Sequence, residues 1–210
     1  TQATGAFAAI NAAGSQAGNN ILITITADVA TEDGANQLNN GGWTTLTINP
    51  SGTRTLSGNV NTSMIRLSGA ANVTIDGLNS GGNSLAISNT NIGASAATIT
   101  FANGASSNTI QNCNILGSAT NLGVIFFTTG TVTGNNNNLI TQCNISASAG
   151  GNPTNAILSV GTSAVMPNSN NTITVCNISD YFSAGSASTG ININSNNSDW
   201  TITNNALYQT

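Results

Sequence analysis

Histidine and lysine are both missing from this 210-residue chain, and Arg54 and Arg66 are its only cationic side chains. Without a histidine or a lysine, serine-type triads and Schiff-base chemistry are excluded. Two arginines against a formal net charge of −4 leave too little positive charge to neutralise phosphates, so nucleic acid and anionic lipid surfaces are excluded as partners. No apolar run approaches the roughly 20 residues of a membrane helix, which argues against membrane insertion. Charged residues make up 4% of the chain and aromatics 4%. The acids, Asp28, Glu32, Asp33, Asp76, Asp180 and Asp199, are dispersed along it. Polysaccharide-cleaving sites need clustered carboxylates, often with Ca²⁺ and a basic residue, or two acids facing one bond. The densest group, Asp28 with Glu32 and Asp33, reads as a solvated loop. No catalytic residue, metal or cofactor is expected.

What the chain does have is 39% hydrophobic residues and a polar remainder of mostly Asn, Thr, Ser and Gly. Short Ile/Val/Leu runs recur throughout, which a disordered linker lacks, so a folded core is expected. A lysine-free surface of this kind suits an extracellular protein. The small, polar residues from Thr1 do not look like a leader, so secretion to a cell surface is inferred from composition alone.

Self-similarity is the main signal. Segments 72–80, 108–116, 138–146, 171–179 and 200–208 align on Ile75, Ile110, Ile140, Ile173 and Ile202, spaced 29 to 35 residues apart. Each is preceded by a second short strand: 64–69, 97–103, 123–129, 156–162 and 190–196. Period-two alternation and β-branched residues predict strands. The change from two-residue to three-residue spacing between inward positions predicts a corner between sheets. Equivalent residues of successive coils then stack about 4.8 Å apart, and each coil buries its apolar side only against its neighbours. The expected fold is all-β, a right-handed parallel β-helix, with a single domain over 1–210. Coils run over 21–210, with 21–28 and 44–52 as early strands. A cap over 1–20 contains a short amphipathic helix at 5–14.

Two columns follow from the alignment. Leu78, Cys113, Cys143, Cys176 and Asn205 form an inward column, in which the cysteines are small apolar rungs; pairing of two of them is also geometrically open. Asn79, Asn114, Asn144 and Asn177 form an asparagine ladder at a corner, where left-handed backbone is tolerated. Facing outward, Thr74, Thr109, Leu139, Thr172 and Thr201 run beside Asp76, Gln111, Thr141, Thr174 and Thr203. That threonine grid resembles the one on β-solenoid ice-binding proteins, and it is broken at Leu139, Asp76 and Gln111.

The stretch from NVTIDGLNSGGNSL through SNTIQNCNILG to DWTITNNALYQT, with the N-terminal FAAIN segment, resembles parallel β-helix modules of large secreted surface proteins from Bacteroidetes-type bacteria. That resemblance implies a non-catalytic structural or adhesive module in a cell-surface protein or fibre. The coil is also similar to pectate-lyase-like enzymes, which keeps a polysaccharide lyase or carbohydrate-binding role as an alternative. Expected partners are neighbouring modules, identical subunits and surface glycans. Loops 117–122, 146–155 and 180–189 are candidate recognition elements, with Trp43, Tyr181, Phe182 and Trp200 as candidate sugar-stacking aromatics. Ile202, Leu207 and Tyr208, in the last coil, are the expected end-to-end interface.

Overall fold

The computed structural model describes residues 2 and 4–210; Thr1 and Ala3, inside the expected cap, lie outside the described residues. One helix, α1 (Ala6–Ala12), precedes the strands. The first coil contributes β1 (Asn20–Ile25), β2 (Val29–Glu32) and β3 (Leu38–Asn39), and the second β4 (Thr45–Pro50), β5 (Thr53–Gly58) and β6 (Ile65–Ser68). The third holds β7 (Val73–Asp76), β8 (Ser84–Asn89) and β9 (Ile99–Ala102), and the fourth β10 (Thr109–Gln111), β11 (Cys113–Gly117) and β12 (Gly123–Phe127). The fifth holds β13 (Leu139–Thr141), β14 (Asn144–Ala147) and β15 (Asn155–Ser159). After the short β16 (Asn168–Ser169) come β17 (Thr172–Thr174), β18 (Asn177–Ser179) and β19 (Thr189–Ile193). The last are β20 (Asn197–Ser198), β21 (Thr201–Thr203) and β22 (Ala206–Tyr208).

Corresponding strands pair in parallel. Sheet A runs β1-β4-β7-β10-β13-β17-β21, sheet B β2-β5-β8-β11-β14-β18-β22, and sheet C β3-β6-β9-β12-β15-β19. This is the parallel β-solenoid, with one short N-terminal helix, that the repeat predicts. The reason is visible in the register. Sheet A stacks Ile23, Ile48, Ile75, Ile110, Ile140, Ile173 and Ile202 in one inward column. Sheet C stacks Ile65, Ile99, Ile125, Ile157 and Ile191. Leu56, Ile87, Ile115, Ile145, Ile178 and Leu207 do the same for sheet B. Phe101 and Phe127 continue the interior as a stacked pair, 4.3 Å between ring centroids, and Trp200 meets Phe127 edge-on at 5.0 Å. The helix packs Phe7 into the core and lies against β3.

The corner from sheet C into sheet A is held by buried amides. Asn108, Asn138 and Asn171 each sit two residues before the anchor isoleucine, at most 1% exposed. Asn138 Oδ1 accepts from both the backbone N and Nδ2 of Asn108, and Asn171 Oδ1 accepts likewise from Asn138. The remaining amide protons go to carbonyls, Asn138 Nδ2 to Ala105 O and Asn171 Nδ2 to Asn135 O. Asn135 and Asn168 form a second ladder alongside.

The corner from sheet A into sheet B corrects two expectations. The left-handed residues there are Asn112, Gln142, Val175 and Asn204, with φ of 54° to 56°. Asn114, Asn144 and Asn177 follow on strands of sheet B, exposed, and Asn144 Nδ2 and Asn177 Nδ2 each donate to the asparagine one coil below at 2.8 and 2.9 Å. In the third coil, residues 77–83 bulge out, with Leu78 and Asn79 at positive φ. Leu85 and Ala86, not Leu78 and Asn79, pair with Cys113 and Asn114. Only glycine fits where the bulge begins, because a Cβ on residue 77 would collide with the Asn112 carbonyl.

Two stability predictions follow from these corners. Asn138→Ala strands a buried carbonyl and a backbone N–H, and should cost about 3 kcal/mol or more, whereas Asn144→Ala on the exposed ladder should cost below about 1 kcal/mol. Val175, a β-branched residue at φ 56°, should gain about 1 kcal/mol on Val175→Asn, because asparagine tolerates the left-handed region. Urea unfolding midpoints of the three variants measure both; equal losses for Asn138→Ala and Asn144→Ala would contradict the burial argument.

Candidate functional site

The cysteines lie at the start of sheet B, all three free and buried. Each thiol points at main-chain oxygen. Cys113 Sγ donates to Gln111 O at 3.1 Å, Cys143 Sγ to Thr141 O at 3.2 Å and Cys176 Sγ to Thr174 O at 3.4 Å. Asn205 closes the column, its Oδ1 accepting from Cys176 N. The adjacent Cys113 thiol, opposed by Cys176 and reinforced by burial, pushes Cys143 up to about 12. The Cys143 thiol and burial push Cys176 up as well. Neutral thiols in such surroundings are packing groups, not nucleophiles or metal ligands.

The acids stay apart. Burial works to raise the Asp76 pKa, but hydrogen bonds from Asn112 Nδ2, Gln111 Nε2 and Leu78 N outweigh it and hold the carboxyl below its usual range. Asp76 therefore shapes the bulge at 77–83 and is spent as an acceptor. Asp28 accepts from Thr55 N and Asp33 from Ala35 N. Glu32 departs from the solvated-loop expectation, being buried at the end of β2. Among the described residues no three His, Cys, Asp or Glu side chains converge as a metal site would require. Arg66 lines a polar pocket of about 440 Å³ with Thr62, Ser63 and Asn36, and desolvation draws its pKa down.

The aromatics fall into two sets. Trp43 is buried, with Nε1 donating to Ala71 O at 2.7 Å, and Trp200 is half-buried, with Nε1 donating to Asn168 O at 3.0 Å. Both pack the solenoid; the buried Trp43 offers no face to a sugar, which corrects its reading as a stacking aromatic, while Trp200 takes the packing role that its loop position also allows. Tyr181 packs against the core beside Gly190. Phe182 is exposed in the loop 180–189, where its carbonyl accepts from Asn152.

An aromatic that the repeat pattern did not single out is Phe126. It stands on the outer face of sheet C in the row Arg66, Thr100, Phe126, Leu158 and Asn192. Ser63 covers Thr100 through a 2.8 Å hydroxyl contact, but beyond it the row opens into a shallow groove of about 400 Å³ floored by Phe126 and Leu158. Asn121, Leu122, Asn155, Asn192 and Asn194 line it as well. The loops 117–122 and 146–155 thus lead into this groove. The signal was in GVIFF itself: alternation buries Ile125 and Phe127 and leaves Phe126 outward.

The outer face of sheet A carries the threonine rows and extends them to Thr47 and Thr24, with Leu22, Leu139, Asn49, Asp76 and Gln111 as interruptions. Beneath α1 lies an apolar cavity of about 330 Å³ lined by Phe7, Ile23, Ile25, Ile48 and Leu56.

By fold the chain is a parallel β-helix protein with ladders inside and neutral polar faces outside. No protein-family model, curated protein or solved structure matches it.

The thiols give a pH prediction with a definite sign. A thiol whose pKa is raised on folding contributes stability in full below its unfolded value of about 8.5 and loses it as pH rises toward the folded value. Stability should therefore be flat to about pH 8 and fall between there and about pH 12. Cys143→Ala should flatten that fall, and thiol reagents at pH 8 should label no cysteine before unfolding. Rapid native labelling of Cys143 would remove the column from the interior.

Proposed function

We propose that the chain is a non-catalytic, extracellular structural and adhesive module whose last coil is covered by a neighbouring module or by a second copy of itself. The observation that supports this most directly is the final coil. Ile202, Leu207 and Tyr208 are 42%, 46% and 44% exposed, whereas the same columns are closed at Ile173 and Ile178. β21 and β22 end their sheets with one edge unpaired. Such an edge takes up another strand, and the apolar column ends gain from being covered. At the other end α1 and Phe7 lie over the interior. Head-to-tail covering generates an open array, not a closed ring. With 4% charged residues, little repulsion opposes it. Against catalysis stand the dispersed acids and the hydrogen-bonded Asp76. The threonine rows of sheet A support no separate ice-binding reading while leucine, aspartate and glutamine interrupt them.

Sedimentation of the chain over a wide concentration range tests the assembly surface, together with a variant in which a second copy of residues 182–210 follows Thr210 and so continues the coil. Reversible association abolished by Ile202→Lys with Leu207→Lys, or a raised urea midpoint in the extended chain, is the expected result. A monomer at every concentration whose midpoint ignores the added coil would overturn the reading.

A further inference from the structure

We propose that the groove on the outer face of sheet C binds a neutral glycan, with Phe126 as the platform for one sugar ring and the flanking amides and hydroxyls as its hydrogen-bonding partners. This deepens the adhesive part of the reading above and rests on it.

The groove stands out by composition. The outward rows beside it on sheets A and B are chiefly threonine, asparagine and glutamine, such as Thr141, Thr174, Asn144 and Asn177. On sheet C, Phe126 and Leu158 instead lie side by side on paired strands. Phe126 stays partly exposed there beside a buried Leu158, and an aromatic face set among polar groups in a concave site is how ligand pockets are built. A volume of about 400 Å³ lies within the range of small-ligand sites and holds a few sugar rings.

The rim is arranged for hydroxyls. Asn192 Nδ2 donates to Asn155 Oδ1 at 3.1 Å, and Asn155 Nδ2 donates in turn to Asn121 O and Thr154 Oγ1 at 3.4 and 3.3 Å. These amides are fixed before any ligand arrives, which lowers the ordering cost of binding. Among the described residues, the Asn121 side chain, the Thr128 and Thr129 hydroxyls and Asn194 Nδ2 have no partner within the chain. Amides and hydroxyls both donate and accept, as sugar hydroxyls do, while the C–H face of a pyranose fits an aromatic ring. No charged side chain lines the groove, so nothing there compensates a uronate or sulfate, and an acidic sugar would lose its hydration for no return.

Titration calorimetry of the 210-residue chain with cello-, xylo-, laminari-, manno- and chitohexaose, and with hexagalacturonate as the acidic comparator, tests the site. At least one neutral probe should bind, and Phe126→Ala should weaken that binding by about tenfold or more. Asn121→Ala and Thr129→Val, both on the exposed rim, should weaken it less. Val165→Ala, at an exposed apolar residue outside the groove, should leave it unchanged. Absence of binding to every neutral probe at millimolar concentration, binding of the acidic comparator alone, or affinity indifferent to all three groove substitutions would overturn the proposal. Self-association is read separately by sedimentation, so either idea fails without the other.

Discussion

The corner amides carry the constraint on which the rest of this solenoid depends. A chain that turns from one sheet into the next inside a closed coil must bury main-chain N–H and C=O groups that no strand can pair. Asn108, Asn138 and Asn171 meet that demand between coils: the Asn138 and Asn171 oxygens each accept from the preceding coil's backbone and amide, the Asn108 oxygen accepts from Val73 N, and each amide donates to a main-chain carbonyl. An unsatisfied buried group costs about 1–3 kcal/mol, comparable to the gain from burying one isoleucine. The ladder therefore does more than decorate the isoleucine columns. It fixes which residue of one coil sits over which residue of the next, and a slip by one position would strand the amides and expose the isoleucines together.

Much of this was legible in the sequence because the interior is written in one residue type per column. Isoleucine at regular intervals, with cysteine three residues on, identified the coil, the corner and the parallel stacking. The buried asparagines stood at the head of the same aligned segments, yet residue type alone gave no way to rank them above the outer row of Asn114, Asn144 and Asn177. Both rows are asparagine at one coil spacing. Only the face separates them, and the face is set by where the chain turns.

Two other misreadings have one cause, the insertion of loop residues at a corner. In the third coil, glycines and a left-handed Leu78 open a bulge at 77–83, so the column continues at Leu85 instead of three residues after Ile75. Spacing arguments count residues along the chain, whereas stacking counts positions in space, and a loop breaks the equality. The burial of Trp43 was hidden for a related reason. Trp43 and Trp200 precede strands of sheet A in loop-like sequence, which suggests exposure, but each indole N–H reaches a main-chain oxygen across a corner and the ring fills space there. Large aromatics with one polar atom serve this purpose well, because the ring replaces several small side chains and the N–H satisfies a carbonyl that the turn leaves open.

The same lattice explains why the proposed recognition surface lies on sheet C. Sheets A and B are joined by short corners in the later coils, and their outer rows repeat small polar residues that differ little from coil to coil. Sheet C is entered through the long loops after sheet B and left through the amide corner, so its outer face is framed on both sides by segments that vary in length. Loops vary without disturbing the ladders, because the ladders are anchored in strands and corners. A row on sheet C can thus carry Arg66, Thr100, Phe126, Leu158 and Asn192 in succession over an interior that stays isoleucine throughout. Uniform packing inside is what permits non-uniform chemistry outside, and on sheet C an outward row combines an aromatic ring, an aliphatic neighbour and fixed amides.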